Sequence, residues 1–227
     1  MTRDFRLEIK SCNICDLPIL LAGLALSKLE MIHTHNNTVA GWRKFVHAMK
    51  KMQSTGASTP QLELYIEGSR WGAGELRELA GMSLRRLNLV GVTGTTTADV
   101  AVFMASARQL QEEGTMPLGF ELLVKHDCGW GIHHWRAALS SGGPSFQSID
   151  CHVDEVSTWE FSQLVARKLQ TQGFPLTKLH VNSTPELAMV LELVAAFLRS
   201  PSAAEKRTGG EPDGHGFAIL LTEDLRG

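Results

Sequence analysis

A pattern of one apolar, one polar and one apolar residue recurs along this chain of 227 residues, and a stretch with helical periodicity follows each copy. The seven copies are Leu7-Glu8-Ile9, Leu29-Glu30-Met31, Leu62-Glu63-Leu64, Leu87-Asn88-Leu89, Phe120-Glu121-Leu122, Phe146-Gln147-Ser148 (the weakest, ending in serine) and Leu179-His180-Val181. Recurrence every 22–33 residues is typical of stacked repeat units. The polar middle residue predicts strands with one buried and one open face, and open repeat surfaces commonly bind partners.

The composition is that of a folded protein without a strong electrostatic preference for a partner. Apolar residues make up 43% of the chain, charged residues 20%, and the net charge is −2, so no attraction to nucleic acid or membrane is expected. Residues 1–10 are charged, unlike a signal peptide, and the apolar run 17–26 is too short to span a bilayer. The four cysteines lack extracellular framework spacing, which predicts a cytoplasmic or other reducing intracellular compartment.

The order of the segments predicts three regions. Strand and helix patterns alternate through residues 1–200 in about seven units, and short turns between them require parallel pairing. Residues 201–216 are rich in Gly, Pro, Ser and charge and read as a flexible loop, and residues 217–227 as a C-terminal strand or tail. The first strand begins so near residue 1 that the end cap is weak, which favours part of a larger array or assembly.

The strand and turn residues resemble leucine-rich repeats of the ribonuclease-inhibitor-like or cysteine-containing type, whose pattern is LxLxxC/NxL. The copy that begins at Leu7 fits this pattern through Cys12 and Ile14. Of the six further copies, three place Thr34, Cys151 and Thr184 at the position of Cys12, with Val153 two residues after Cys151. The other three depart from the pattern, with Glu67, Val92 and Lys125 at that position. The resemblance implies a curved solenoid with parallel strands on the concave face and helices on the convex face. It also implies protein recognition rather than catalysis.

A doubly wound α/β domain, which is a nucleotide-binding or enzymatic scaffold, is the competing fold. Its strands are covered by helices on both faces and are therefore continuously apolar. The alternation in this chain favours the solenoid and leaves the doubly wound fold as the alternative.

The outward strand positions predict a partner-binding surface of two rows. The first row would contain Glu8, Glu30, Glu63, Asn88, Glu121, Gln147 and His180, and the second Lys10, Ile32, Tyr65, Val90, Leu123, Ile149 and Asn182. An acidic row beside an apolar row favours a polypeptide partner with basic and apolar residues. Tyr65 and Leu123 are expected to be its energetic centre. The alternatives are that polar residues simply fill solvent-facing positions, or that the C-terminal segment or a second copy covers the apolar row.

Two clusters could hold a ligand. Cys12 and Cys15 with His33 and His35 resemble a zinc set, but Cys12 already has a position in the repeat pattern, which favours two free buried thiols, so no metal is predicted. The loop Gly91–Thr97 lies between a strand and a helix, where helix amides can cradle phosphate. It lacks the P-loop lysine and the G-x-G-x-x-G pattern. Nucleotide binding there is the alternative function, and no cofactor is predicted.

Two further clusters carry weaker signals. Nothing recognisable orients the Cys–His pairs among His126, Cys128, His133 and His134, and the adjacent tryptophans favour a packing role, so the chain is not predicted to be an enzyme. Basic residues cluster only on one helix, at Arg43, Lys44, Lys50 and Lys51, which is typical of a solvated face.

Overall fold

The computed structural model describes residues 5–17, 21, 26–35, 37–55, 61–125, 128–140, 142–152, 155–172, 176–182, 193, 195 and 218–222. The predicted flexible loop at 201–216 and Thr184, which is predicted to stand at the position of Cys12 in its repeat, lie outside the described residues.

The described chain is an α/β structure in which helices connect parallel strands. The strands are β1 (Phe5–Lys10), β2 (Leu26–Ile32), β3 (Leu62–Glu67), β4 (Leu84–Val90), β5 (Phe120–Val124), β6 (Phe146–His152), β7 (Lys178–Asn182) and β8 (Ala218–Thr222). The helices are α1 (Val39–Ser54), α2 (Glu75–Glu78), α3 (Thr97–Glu112), α4 (Ile132–Ala138) and α5 (Glu155–Gln172). All seven predicted strand segments lie within or overlap these strands, and parallel pairing is confirmed.

The eight strands form one sheet in chain order, β1 to β8, and every neighbouring pair is parallel. Each described helix contacts the next helix along the chain. Long and short helices alternate from α1 to α5, which accounts for the alternation of long and short intervals between the sequence repeats.

One face of the sheet carries the core. Alternate strand residues point to it because side chains along a strand have a period of two. Two inward rows run across the sheet, Leu7, Leu29, Leu64, Leu87, Leu122, Ile149 and Leu179, and Ile9, Met31, Ile66, Leu89, Val124, Cys151 and Val181. The helices contribute Trp42, Phe45, Phe103, Trp135 and Phe161 to the same core.

A turn of one shape follows each of the first four strands. Ser11, His33, Gly68 and Gly91 come directly after β1 to β4 and have φ values of 50–61°. After the turn, Thr34 and Ser69 stack in neighbouring units, and their hydroxyl oxygens lie 2.8 Å apart in a buried hydrogen bond. Ser69 rather than Glu67 therefore occupies the position equivalent to Thr34, which corrects the predicted departure of the third repeat.

Candidate partner-binding face

The outward side chains of the sheet form three rows, which differ from the two predicted rows. The charged row contains Arg6, Lys28, Glu63, Arg86, Glu121, Ser148 and Lys178. The central row contains Glu8, Glu30, Tyr65, Asn88, Leu123, Asp150 and His180. The third row contains Lys10, Ile32, Glu67 and Val90. Together these rows are called the polar face.

The predicted row of adjacent carboxylates is wrong beyond its first two members. Glu8 and Glu30 are paired as expected, but the residue opposite Glu30 on β3 is Tyr65. Glu63 lies instead between Lys28 and Arg86. The cause is a two-residue difference in register, because Leu29 pairs with Leu64 and not with the start of β3.

The predicted positions on β6 are also wrong. Ile149 is fully buried in the core, so it has no surface to offer a partner. Gln147 is exposed, but it lies at a register shift and has no cross-strand partner on β5. Because a bulge exchanges the two faces of a strand, Ser148 and Asp150 take the outward positions.

The predicted apolar row is divided between two rows. Tyr65 and Leu123 lie in the central row with Asn88 between them. Ile32 and Val90 lie in the third row with Glu67 between them. The polar face therefore carries no continuous apolar stripe from β2 to β6.

The charges in the middle of the polar face are paired with one another. Arg86 donates to Glu121 at 2.5 Å and lies 3.6 Å from Glu63. Near β6, Asp150 accepts from Lys125 at 2.9 Å and lies 3.2 Å from Nδ1 of His180.

Cations and carboxylates are also paired along β1 and β2. Lys10 pairs with Glu8 at 2.7 Å, and Lys28 pairs with Glu30. With Lys125, which directly follows β5 and pairs with Asp150, the face carries equal numbers of cations and carboxylates, the cations being Arg6, Lys10, Lys28, Arg86, Lys125 and Lys178 and the carboxylates Glu8, Glu30, Glu63, Glu67, Glu121 and Asp150. The face is therefore neutral rather than acidic.

The uncharged part of the central row is Tyr65, Asn88 and Leu123, all half-buried. Burial raises the pKa of Tyr65, and its hydroxyl adds to this effect by donating to Glu67 at 2.5 Å. Asn88 Oδ1 is buried and has no hydrogen-bond partner in the described part of the chain. Most buried polar atoms in folded proteins do have a partner, so this acceptor is an exception that calls for an explanation.

The loop Gly91–Thr97 is occupied by contacts of the chain itself. Gly94 has φ 89°, and a Cβ there would lie 1.8 Å from the carbonyl oxygen of Trp71. At the start of α3, Thr96 caps the helix and donates to the buried carboxylate of Asp99, which also accepts from the amide of Gly74. An anion bound there would share the helix start with a carboxylate.

The cysteine and histidine clusters do not assemble into a site. No group of three or more metal-ligating side chains occurs among the described residues. The Cys128 thiol donates to the carbonyl of Leu89, and Nδ1 of His134 accepts from the amide of Gly131. Nε2 of His134 is therefore the protonated nitrogen and donates to the carbonyl of Thr95. His126 lies outside the described residues.

The helix side of the molecule holds two further candidates. In the basic cluster on α1, Arg43 makes a 2.7 Å ion pair with Glu78, and Lys44, Lys50 and Lys51 are exposed. A cavity of about 490 Å³ lies near the C-terminal ends of α1 and α3. Its lining includes Lys50, Ser83 and Glu113.

Comparison of the chain with protein-family models, curated proteins and solved structures finds no match. Among the described helices, none combines the length and apolar character needed to cross a membrane.

Proposed function

We propose that the chain is a leucine-rich-repeat-like solenoid that binds a polypeptide through the polar face and has no catalytic activity. Strands in chain order support the solenoid, because a doubly wound sheet reverses its strand order where it binds a ligand. The repeated turn after β1 to β4 and the hydrogen bond between Thr34 and Ser69 also support stacked units.

The unpaired acceptor of Asn88 is the observation that carries the binding proposal. Asn88 lies between Tyr65 and Leu123, at the uncharged centre of the polar face. The carboxylates of this face pair with cations, except for Glu67, which accepts a hydrogen bond from the Tyr65 hydroxyl. Aromatic and apolar residues at the centre of a polar rim form the usual anatomy of a protein interface. A partner that donates a hydrogen bond to Asn88 would satisfy the acceptor that the chain leaves open.

The partner chemistry follows from the register. The sequence predicts a basic partner because Glu8, Glu30 and Glu63 would lie next to one another in one row, but Glu63 does not lie beside Glu30. The proposed partner segment instead presents a side-chain amide or hydroxyl donor between apolar side chains. The neutral, ion-paired surroundings would reject segments with a strong net charge, because such segments would leave one sign unpaired.

The test is affinity purification from the native source followed by mass spectrometry. The wild-type chain is compared with a Tyr65→Ala, Leu123→Ala variant and with a matched control, Val102→Ala, Trp159→Ala, which removes exposed apolar side chains from α3 and α5. We expect one stoichiometric partner with wild type and control. The affinity of the purified partner for the Tyr65→Ala, Leu123→Ala variant should be lower than for wild type by tenfold or more, since central apolar anchors dominate interfaces. Equal capture by all three folded proteins rules out the polar face as the site.

A further inference from the structure

The cavity of about 490 Å³ lies on the helix side of the sheet, near the residues where β3, β4 and β5 begin. It reflects a difference in helix length, because α2 has 4 residues and the helices on either side of it, α1 and α3, have 16 each. The last turns of α1 and α3 therefore extend past the end of α2 and flank a gap over the residues that follow it. The volume lies in the range of about 300–1,000 Å³ that is usual for small-molecule sites.

Hydrogen bonds between three neighbouring strand–helix units hold the wall of this cavity. The side-chain amide of Gln53 on α1 donates to the carbonyl of Ser83 at 2.8 Å, and its oxygen accepts from the amide of Ser83 at 3.3 Å. The Ser83 hydroxyl donates to the carbonyl of Thr115, which follows α3. A wall that is already formed before a ligand arrives reduces the entropic cost of binding.

Lys50 on α1 supplies a cation to the cavity. Its side chain crosses Gly81, where an added Cβ would lie 2.3 Å from Nζ. Gly81 has φ 81°, so glycine is suited to the turn and also leaves room for the lysine. Among the described residues, no hydrogen bond or ion pair engages the Lys50 ammonium, whereas Lys28 and Lys125 are paired with carboxylates. Lys50 is therefore available to an anionic group of a ligand.

The wall on the side of α3 carries negative charge. Glu113, which directly follows α3, lines the cavity, and its Oε1 accepts from Gln109 at 2.7 Å. The C-terminal end of α3 adds a partial negative charge. The units that contribute Lys50 and Glu113 are two strands apart, which corresponds to about 10 Å at the spacing of neighbouring strands. A ligand that spans the cavity would meet opposite charges at its two ends.

The apolar part of the lining lies beside this carboxylate. Leu110 and Pro117 are both half-buried and face the cavity. A matching ligand combines a carboxylate, apolar side chains and an ammonium group. A short peptide with free ends has all three groups, and three residues at about 3.4 Å each cover the distance of about 10 Å.

We propose that the cavity binds an apolar peptide of about three residues with free termini. The C-terminal carboxylate pairs with Lys50, the apolar side chains pack on Leu110 and Pro117, and the N-terminal ammonium lies at Glu113. The cavity shares no residue with the polar face, so this site does not depend on the function proposed above.

Trileucine and two blocked forms of it are the probes. N-acetyl-trileucine lacks the ammonium group, and trileucine amide lacks the carboxylate. The variants Lys50→Met and Glu113→Gln remove the charges that would face these groups. Lys51→Met is the matched control, because Lys51 is also an exposed lysine of α1 but does not line the cavity.

Isothermal titration calorimetry on the full chain measures each Kd, and circular dichroism verifies that each variant is folded. We expect a submillimolar Kd for trileucine with both wild type and Lys51→Met. The Kd should rise about tenfold for Lys50→Met with trileucine and for wild type with trileucine amide, because both changes remove the same charge-assisted hydrogen bond. Glu113→Gln and N-acetylation should each raise it about two- to fivefold, because Glu113 is exposed.

The proposal also predicts that the two tenfold losses are not additive. Trileucine amide should bind Lys50→Met as weakly as it binds wild type, because the pair is already broken in both cases. No binding of trileucine to wild type, equal Kd values for trileucine and its amide, or equal effects of Lys50→Met and Lys51→Met overturns the proposal.

Discussion

Replacing Asn88 by leucine should stabilise the fold and weaken partner binding. The acceptor Oδ1 of Asn88 is buried without a partner. Such an atom costs about 1–3 kcal/mol, and the lower end applies because the residue is only half-buried. Leucine also fits beside Tyr65 and Leu123 on a pleated surface better than asparagine does. We expect a gain of about 1 kcal/mol in the free energy of unfolding, or about 3 °C in Tm.

Gln111→Leu is the matched control, because its amide is buried and fully used. Gln111 Nε2 donates to the carbonyls of Pro117 and Ser145, both at 2.9 Å, and Oε1 accepts from the amide of Ser145 at 2.7 Å. Removing these hydrogen bonds leaves backbone groups without partners, so the free energy of unfolding of this variant should be lower than that of wild type by about 2–3 kcal/mol. The two substitutions have the same chemistry and opposite expected signs.

Urea unfolding followed by circular dichroism measures both effects, with the slope m used to check that the denatured state is unchanged. A lower midpoint for Asn88→Leu at unchanged m would show that Oδ1 is satisfied, and would remove the observation behind the binding proposal. If Asn88→Leu is more stable but binds a purified partner with unchanged affinity, Oδ1 of Asn88 is unpaired in the free chain and the partner does not use it.

Two further predictions test the interior of the fold. Burial, with a smaller effect of Arg108, lowers the pKa of Lys168 from 10.5 to about 8. The unfolded state therefore binds more protons between these values, so wild-type stability should rise by about 2 kcal/mol from pH 8 to 10.5 relative to Lys168→Met in urea titrations. Gly94→Ala should lower the free energy of unfolding by about 3 kcal/mol or more, because the added Cβ would meet the Trp71 carbonyl. Gly129→Ala, with φ 67° and no atom within 4 Å, should cost only about 1 kcal/mol by thermal unfolding.

The elements of the sheet could be predicted from the sequence because their signals are local. The alternation around Leu29 and Leu87 and the helical spacing of Trp42, Phe45 and Met49 each depend on one stretch of chain, and all of these residues are buried. Register could not be predicted in the same way, since it depends on which residues of two separate strands face each other.

The error on β6 has a local cause. Phe146 lies in the core as predicted, but the shift in pairing after it changes the direction of the following residues. Ile149-Asp150-Cys151 is a better copy of the apolar–polar–apolar pattern than Phe146-Gln147-Ser148, and taking it as the sixth copy gives the observed pairing with Leu179-His180-Val181 on β7. Asp150, which joins the ion pairs of the polar face, would then have been found from the sequence.

The charges of the polar face explain the choice of register between β2 and β3. A slip of two residues leaves every apolar side chain on the core face, so the core alone does not select the pairing. The slipped register would place Glu63 beside Glu30 and Glu8, and like charges in that arrangement are destabilising. The observed register places Glu63 between Lys28 and Arg86. Repulsion among the carboxylates therefore acts against mispairing of the chain's own strands, and the proposed recognition of a partner would fall to the uncharged part of the central row.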